Sequence, residues 1–377
     1  VRIALLTYST RPRGGVVYTL HLAEALARTG AAVTVYSLAR GADAGFFREV
    51  DPAVTVRLAP FPDRPGESVT DRIVRSIATL REFVDPDGFD IVHAQDCISA
   101  NAVGRCIRTI HHLDDFTPPV LVDCHEKAIT TPYAHVCVSD AVATEVRRGW
   151  GLSPTVIPNG VDHARFAQVA GPGAGAVSAR ERWRSDLGPY VLAVGGIEPR
   201  KGSIDLLEAF ALMRRRRPDL SLVFAGGETL FDYRDYRARF DRRCVELGID
   251  PVVLGVVPEG DLPGLVAACD VFAFPSTKEG FGLAAMEALA AGRPVVARDL
   301  PILREVFGTC VEYAASIPEL ADRLESALSP DPVRARDGST LAASLTWDAA
   351  AAAHMRFYAD HSRGHQGQRP PSRERAG

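Results

Sequence analysis

The chain has 377 residues, 46% of them apolar and 24% charged, which is too long for one ordinary core and suits two domains. A formal net charge of −4 argues against a nucleic-acid binder, and no apolar run approaches the length needed to cross a bilayer. Seven scattered cysteines without a CxxC pair read as reduced thiols, with neither a disulfide framework nor a zinc site.

The opening VRIALLTYSTRPRGG enters a strand without the long apolar core of a secretory signal, and the scattered thiols set the cytoplasm as the expected compartment. RIALLTY (2–8) leads into a helix-compatible VVYTLHLAEALARTG (16–30), then AAVTVYSL (31–38). DIVHA (90–94), CIRTIH (106–111) and HVCVS (135–139) follow, each with a helix-compatible stretch behind it. That alternation is the pattern of βαβ units and a parallel sheet. AQVAGPGAGAVSA (167–179), rich in small residues, reads as a flexible linker. The rhythm then repeats with YVLAVGG (190–196), LSLVFAGG (220–227), PVVLGVV (251–257), DVFAFPS (270–276) and PVVA (294–297). The predicted fold class is therefore α/β, with two doubly wound Rossmann-like domains facing across a cleft and ligands at the carboxyl ends of the strands. TWDAAAAAHMRFYAD (346–360) reads as one more helix, and the remainder to Gly377 as a disordered tail. The expected division is 1–165, 166–345, a helix over 346–361 and the tail over 362–377.

FPSTKEGFGLAAMEALAAGRPVVA (274–297) is the most informative stretch. A buried strand ends near Pro275, a loop carries Glu279, and a helix closes at Gly292. Backbone N–H groups at Phe281, Gly282 and Leu283, with the positive end of the helix dipole, form an anion site. Glu287 lies one turn down the helix and Glu279 before its tip. Two acids flanking an anion site suit a nucleotide diphosphate with a sugar attached, whereas a solvated Glu279 and a locally paired Glu287 would be structural only. In VLAVGGIEPRKGSIDLLEAF (191–210), Arg200 and Lys201 sit at the carboxyl end of a strand, where cations can neutralise a diphosphate. Only three lysines occur, at 127, 201 and 278, so Lys201 is an informative choice in an arginine-rich chain.

In the first half, Gly14 and Gly15 form a loop that is neither a dinucleotide fingerprint nor a P-loop. Either a ligand lies against Gly15 or the loop is a plain turn. His111 and His112 end a strand, where a histidine can touch sugar hydroxyls or a phosphate. Asp114 and Asp115 are acceptor ligands or loop residues. HAQD (93–96) and VIPNGVD (156–162) place Asp96 and Asn159 at two further strand ends. HHLDD lacks metal spacing, so no metal site is expected. The run Arg214 to Arg217 complements a helix dipole before Pro218.

In this order, the glycine loop, HAQD, the T-x-H strand end, HVCVS, VIPNGVD, the basic loop and EGFGLAAME resemble the retaining GT-B-fold glycosyltransferases of family four. The resemblance covers nearly the whole chain, including TW followed by a helix that would cross back to the first domain. It implies an enzyme that moves a hexose from a nucleotide-diphosphate sugar to an unidentified acceptor, with no cofactor beyond the donor. Lys201 would bind the donor diphosphate, backbone near Gly282 and Leu283 its distal phosphate, and Glu287 the ribose. Glu279 would contact the donor sugar, and His111 would sit by the transferred sugar, with His112 and His125 as rivals for that role. His112, Asp96 and Asn159 are the acceptor-side candidates, and backbone near Val256 and Val257 is expected to hold the nucleobase. Many members have an arginine five residues before the lysine. This chain has Gly196 there, and Arg200 is expected to compensate in part. The implied partners are the donor and a small-molecule, glycan or lipid-linked acceptor, with no nucleic acid and no integral membrane segment. A peripheral place at the inner membrane face stays open. So do an epimerase or hydrolase on the same fold and a non-catalytic binding protein.

Overall fold

The computed structural model describes residues 1–41, 45–114, 116–227 and 233–362. Asp115 and the tail from residue 363 lie outside the described residues. The amino-terminal half builds a seven-stranded sheet from β1 (Arg2–Leu6), β2 (Ala32–Arg40), β3 (Val54–Phe61), β4 (Ile91–Ala94), β5 (Ile107–Ile110), β6 (Ala134–Cys137) and β7 (Thr155–Val156). Its order is β3-β2-β1-β4-β5-β6-β7. The second half builds a six-stranded sheet from β8 (Tyr190–Val194), β9 (Ser221–Ala225), β10 (Val252–Gly255), β11 (Val271–Phe274), β12 (Val295–Arg298) and β13 (Glu312–Ala314), in the order β10-β9-β8-β11-β12-β13. Every described pairing is parallel. Because helices cover both faces, the central strands are buried throughout: all four residues of β5, β6 and β11 are buried, the polar Arg108, Thr109 and His135 among them.

The helices of the first half are α1 (Gly14–Arg28), α2 (Val69–Phe83), α3 (Cys97–Val103), α4 (Pro119–Thr130), α5 (Asp140–Trp150) and α6 (His163–Ala170). The second half holds α7 (Ala174–Leu187), α8 (Ser203–Arg214), α9 (Arg234–Leu247), α10 (Leu262–Ala268), α11 (Leu283–Ala290), α12 (Pro301–Phe307), α13 (Ile317–Ala327), α14 (Pro332–Ser344) and α15 (Trp347–Ser362). The segment 167–179, read above as a linker, is largely helical: α6 and α7 leave only residues 171–173 between them. Alanine is the strongest helix former and outweighs the few glycines there. The arginine run ends α8 as expected, with Arg214 bonded to the Gly248 carbonyl and Arg217 paired with Asp219.

The last helix, α15, returns to the first sheet and packs on α1. Tyr18 bonds His354 at 3.1 Å, His93 bonds Tyr358 at 2.7 Å and Thr109 at 2.7 Å, and all these side chains are buried. The crossing point is tight, since a Cβ on Gly160 would lie 2.4 Å from the Trp347 nitrogen. Among the described residues no helix is long and apolar enough to cross a membrane.

Each sheet reverses its winding once, between β1 and β4 and between β8 and β11. The loops after those four strands are therefore where a doubly wound sheet takes its ligand.

Candidate active site

Both reversal points open onto one cavity of about 950 Å³. On its carboxy-terminal side stands the tip of α11. Gly282 caps the helix at φ +92°, a conformation that favours glycine, and an added Cβ would also meet the Phe307 ring at 2.8 Å. The backbone N–H groups of Phe281, Gly282 and Leu283 have no acceptor among the described residues, and all three residues line the cavity. These are unpaired donors at and just before a helix start, in the wall of the cavity. Gly280 meets the opposite domain, because a Cβ there would lie 1.5 Å from the His111 carbonyl oxygen.

The expected charged groups converge beside this tip. Lys201 Nζ donates to Glu279 Oε1 at 2.5 Å, and an Arg200 Nη donates to the same oxygen at 3.2 Å. Arg200 also reaches Glu198 and the Lys278 carbonyl, while its own carbonyl accepts from Thr277 N at 2.8 Å. The loops after β8 and β11 are thereby tied together. Burial alone would raise the Glu279 carboxyl, but Lys201 and Arg200 outweigh it and hold it at about 2. Gly196 lines the cavity without a charge, and Arg200 brings the second cation from the other end of the loop. From the first domain, Asp114 pairs with His112 at 3.2 Å. Burial would raise Asp114, yet His112, Arg200 and Lys278 keep it low, so it faces the same cations.

Glu287 lies deeper along α11 in the opposite field. Burial pushes its carboxyl up to about 8, Glu259 adds to the rise, and Arg165 opposes it. Arg165 is occupied by an ion pair with Glu259. Val256 and Val257 also line the cavity.

On the amino-terminal side, His111 packs edge-on against Tyr18, with 4.7 Å between ring centroids, and its Nε2 lies 3.9 Å from where a Cβ of Gly15 would stand. Burial, reinforced by His112 and Arg108, lowers its pKa to about 3, so the ring is neutral. Its Nε2 is buried without a hydrogen-bond partner. Asn159 is 6% exposed with an unpartnered Oδ1 and lines the cavity. Asp96 also lines it, while capping α3 and accepting from Tyr8 N and Ser99 N at 3.0 and 2.8 Å. His125 faces the cavity from α4, against Phe116. Gly14 starts α1 at the rim.

Several groups here escaped the sequence reading. Gln95, 2% exposed, has neither side-chain polar atom bonded, and Arg108 is a buried guanidinium in mid-strand. Both sit inside quoted strand ends, where a polar residue among apolar ones was the available signal. Glu259 and Glu305 gave no local signal. Glu305 reaches from α12 to accept from Asp140 N and Ala141 N at 2.7 and 2.8 Å, capping α5 of the other domain. Among the described residues no group of three His, Cys, Asp or Glu is placed to hold a metal ion.

Known proteins fit this arrangement. Residues 12–165 match the model of Glycosyltransferase Family 4, and residues 179–338 that of Glycosyl transferases group 1. A D-inositol 3-phosphate glycosyltransferase of Saccharomonospora viridis is 33% identical over 78% of this chain and 78% of its own. Another, from Corynebacterium jeikeium, is 27% identical over 99% of this chain and 100% of its own. Among solved structures, sucrose-phosphate synthase from Thermosynechococcus elongatus superposes with a TM-score of 0.78 at 21% identity, covering 96% of this chain and 99% of that one. The Anabaena protein HepE, solved with UDP and glucose, superposes with a TM-score of 0.69 at 20% identity, covering 97% and 99%. These structures share the GT-B fold of two Rossmann-like halves, and the chain belongs to the family-four glycosyltransferases.

Proposed function

We propose that this glycosyltransferase moves a hexose from a nucleotide-diphosphate sugar to a small polar acceptor, with retention at the anomeric carbon. The observation that carries the reading is the convergence of Lys201, Arg200 and Glu279 beside the unpartnered N–H groups of the α11 tip. Charge separation as the diphosphate departs is the costly event, and preorganised donors in a water-poor cleft are well suited to it. Lys201, Arg200 and the N–H groups at Gly282 and Leu283 receive the departing diphosphate. Glu287 binds the ribose diol, and the valines at 256 and 257 border the base. Once a diphosphate takes over Lys201, Glu279 is released to orient the sugar, without acting as a covalent nucleophile. Neutral His111 offers its unpartnered Nε2 to a hydroxyl of the transferred sugar, and Gly15 lets that sugar lie close. Asn159, Asp96 and His112 stand on the acceptor side. The reaction needs no divalent metal and takes place in the cytoplasm. The D-inositol 3-phosphate glycosyltransferases support a polyol-like acceptor for this chain as well.

Thermal unfolding with UDP, GDP, ADP and TDP, each with EDTA and with magnesium, tests donor binding. A ligand at a hundred times its Kd adds about 2.7 kcal/mol, and the expected result is a shift from one of them in EDTA. NMR of the product then reads the anomer, and inversion overturns the retaining mechanism. Donor consumed equally well without any acceptor would point to hydrolysis or epimerisation instead. Lys201→Ala should lower kcat at saturating donor, and an unchanged kcat removes Lys201 from leaving-group stabilisation.

A further inference from the structure

The first domain's share of the cavity is divided between two kinds of surface. The strand ends present polar groups. Gln95 after β4 has neither side-chain polar atom bonded, Asn159 after β7 has an unpartnered Oδ1, and His111 after β5 has an unpartnered Nε2. The surrounding helices and loops present hydrocarbon instead. Ile73 and Ile77 of α2, Leu121 of α4, Phe116 before α4, and Phe46 and Phe47 after β2 all line the cavity. Ile73, Ile77 and Leu121 are buried and belong to a satellite core with Leu38, Phe61 and Leu80, against which Phe116 packs. Since α2 and α4 both pack on α3, these side chains form one wall. Phe47 N donates to the Thr10 carbonyl at 2.9 Å, which holds the loop with its two phenylalanines at the cavity. None of the six side chains can bond a hydroxyl. A wholly polar acceptor filling this space would give up contacts with water and receive none in return, whereas hydrocarbon laid on the wall gains in proportion to the area it covers.

We propose that the acceptor is amphipathic: its polar, hydroxyl-bearing end carries a compact hydrocarbon group, aryl or alkyl, that seats on the wall between α2, α4 and the Phe46–Phe47 loop. This deepens the proposed function and rests on its reading of the first domain as the acceptor side. The polar end then meets Gln95 and Asn159 at the strand ends, and the hydrocarbon group fixes which way round the acceptor lies. Ile73, Ile77 and Leu121 are buried within the cavity, where the flat surface of a bilayer does not reach, so the occupant is part of the acceptor itself. Ile77 and Phe47 are thus specificity-determining residues, which select a substituted acceptor over its bare polar parent.

The test is calorimetric titration of the full chain, saturated with whichever nucleoside diphosphate stabilises it most, so that the donor site is already filled. The probes share one polar head: methyl, phenyl and hexyl β-glucoside, each kept below its micellar concentration. Phenyl or hexyl glucoside should bind at least about tenfold more tightly than methyl glucoside, with a more negative heat-capacity change, and the tighter of the two tells ring from chain. Ile77→Asn should bring that ratio close to one and leave the nucleoside diphosphate shift intact. Equal affinity of the wild type for all three glucosides overturns the proposal, as does a preference that survives in I77N. Should I77N fail to fold, Phe47→Ser on the loop decides: the ratio should fall at least about threefold, and an unchanged ratio overturns the proposal. Binding to phosphatidylcholine vesicles with no preference among the glucosides would make the wall a membrane contact and overturns it too. Tighter binding of the apolar glucosides that displaces the diphosphate would instead strike the acceptor-side reading. If no diphosphate binds, the donor assignment fails, and the same comparison on the free chain judges the wall by the same criteria.

Discussion

Glu279 and Glu287 flank the α11 tip in opposite electrical surroundings, and their replacement by glutamine should have opposite consequences. Glu279 is held at about 2 by two cations against its burial, so its contribution to stability is present above the ordinary carboxylate range and is lost only in strong acid. Glu279→Gln leaves Lys201 and Arg200 without their shared counter-ion. Its unfolding temperature at neutral pH should fall, nucleoside diphosphate should bind more tightly than in the wild type, and sugar transfer should slow. A looser diphosphate complex would show that Glu279 does not compete for Lys201. Glu287 is raised to about 8, so the folded state keeps a proton that the unfolded state releases near 4.5. Its favourable contribution is full below that lower value and is lost as pH rises through about 8. Glu287→Gln should therefore match the wild type near pH 4 and exceed it in unfolding temperature above pH 8, measured without ligand. Its donor KM should rise with kcat little changed. The sequence showed both acids and their spacing but not this contrast, because Glu259 and Arg165 reach Glu287 only through the fold. The charged residue in IRTI was equally visible, and its burial against the Ala128 carbonyl was not.

The loop from Pro275 to Gly282 and the start of α11 act as one element. Gly280 touches the His111 backbone across the cleft, so a side chain there must push the two domains apart. Gly280→Ala is expected to lower kcat/KM at least about tenfold, as misplacement by an ångström does elsewhere, and to increase the radius of gyration in solution scattering. An unchanged radius with normal turnover would mean that the contact is not part of the working enzyme. Elements of this kind were legible where patterns were long. Buried strands such as β1 and β11 declared themselves by continuous apolar runs. β3 did not, since it mixes buried and exposed positions as an edge strand does, and β7 and β13 have only two and three residues. The segment after α6 misled for a different reason: glycine suggested freedom, while the alanines that follow it set the helix.

At the scale of the whole molecule, the halves are joined by more than the cleft. Glu305 caps α5 from the other domain, and α15 buries His354 and Tyr358 against Tyr18 and His93. Glu305→Ala removes both acceptors from a helix start, a loss of about 1 kcal/mol, and should loosen closure more than it unfolds either half. Limited proteolysis near residue 140 would report that loosening, and unchanged cleavage would show that the cap is redundant. Removal of residues from 346 onward should instead yield insoluble chain, since buried Tyr18 and His93 would both lose a partner and the apolar seat of α15 would be bared.

That returning helix also sets an order for biosynthesis. The ribosome releases the first sheet early, yet Tyr18 and His93 meet His354 and Tyr358 only after the whole second sheet has emerged. The domain made first is the domain finished last, and a nascent chain must wait with its polar seam open while the second sheet is made.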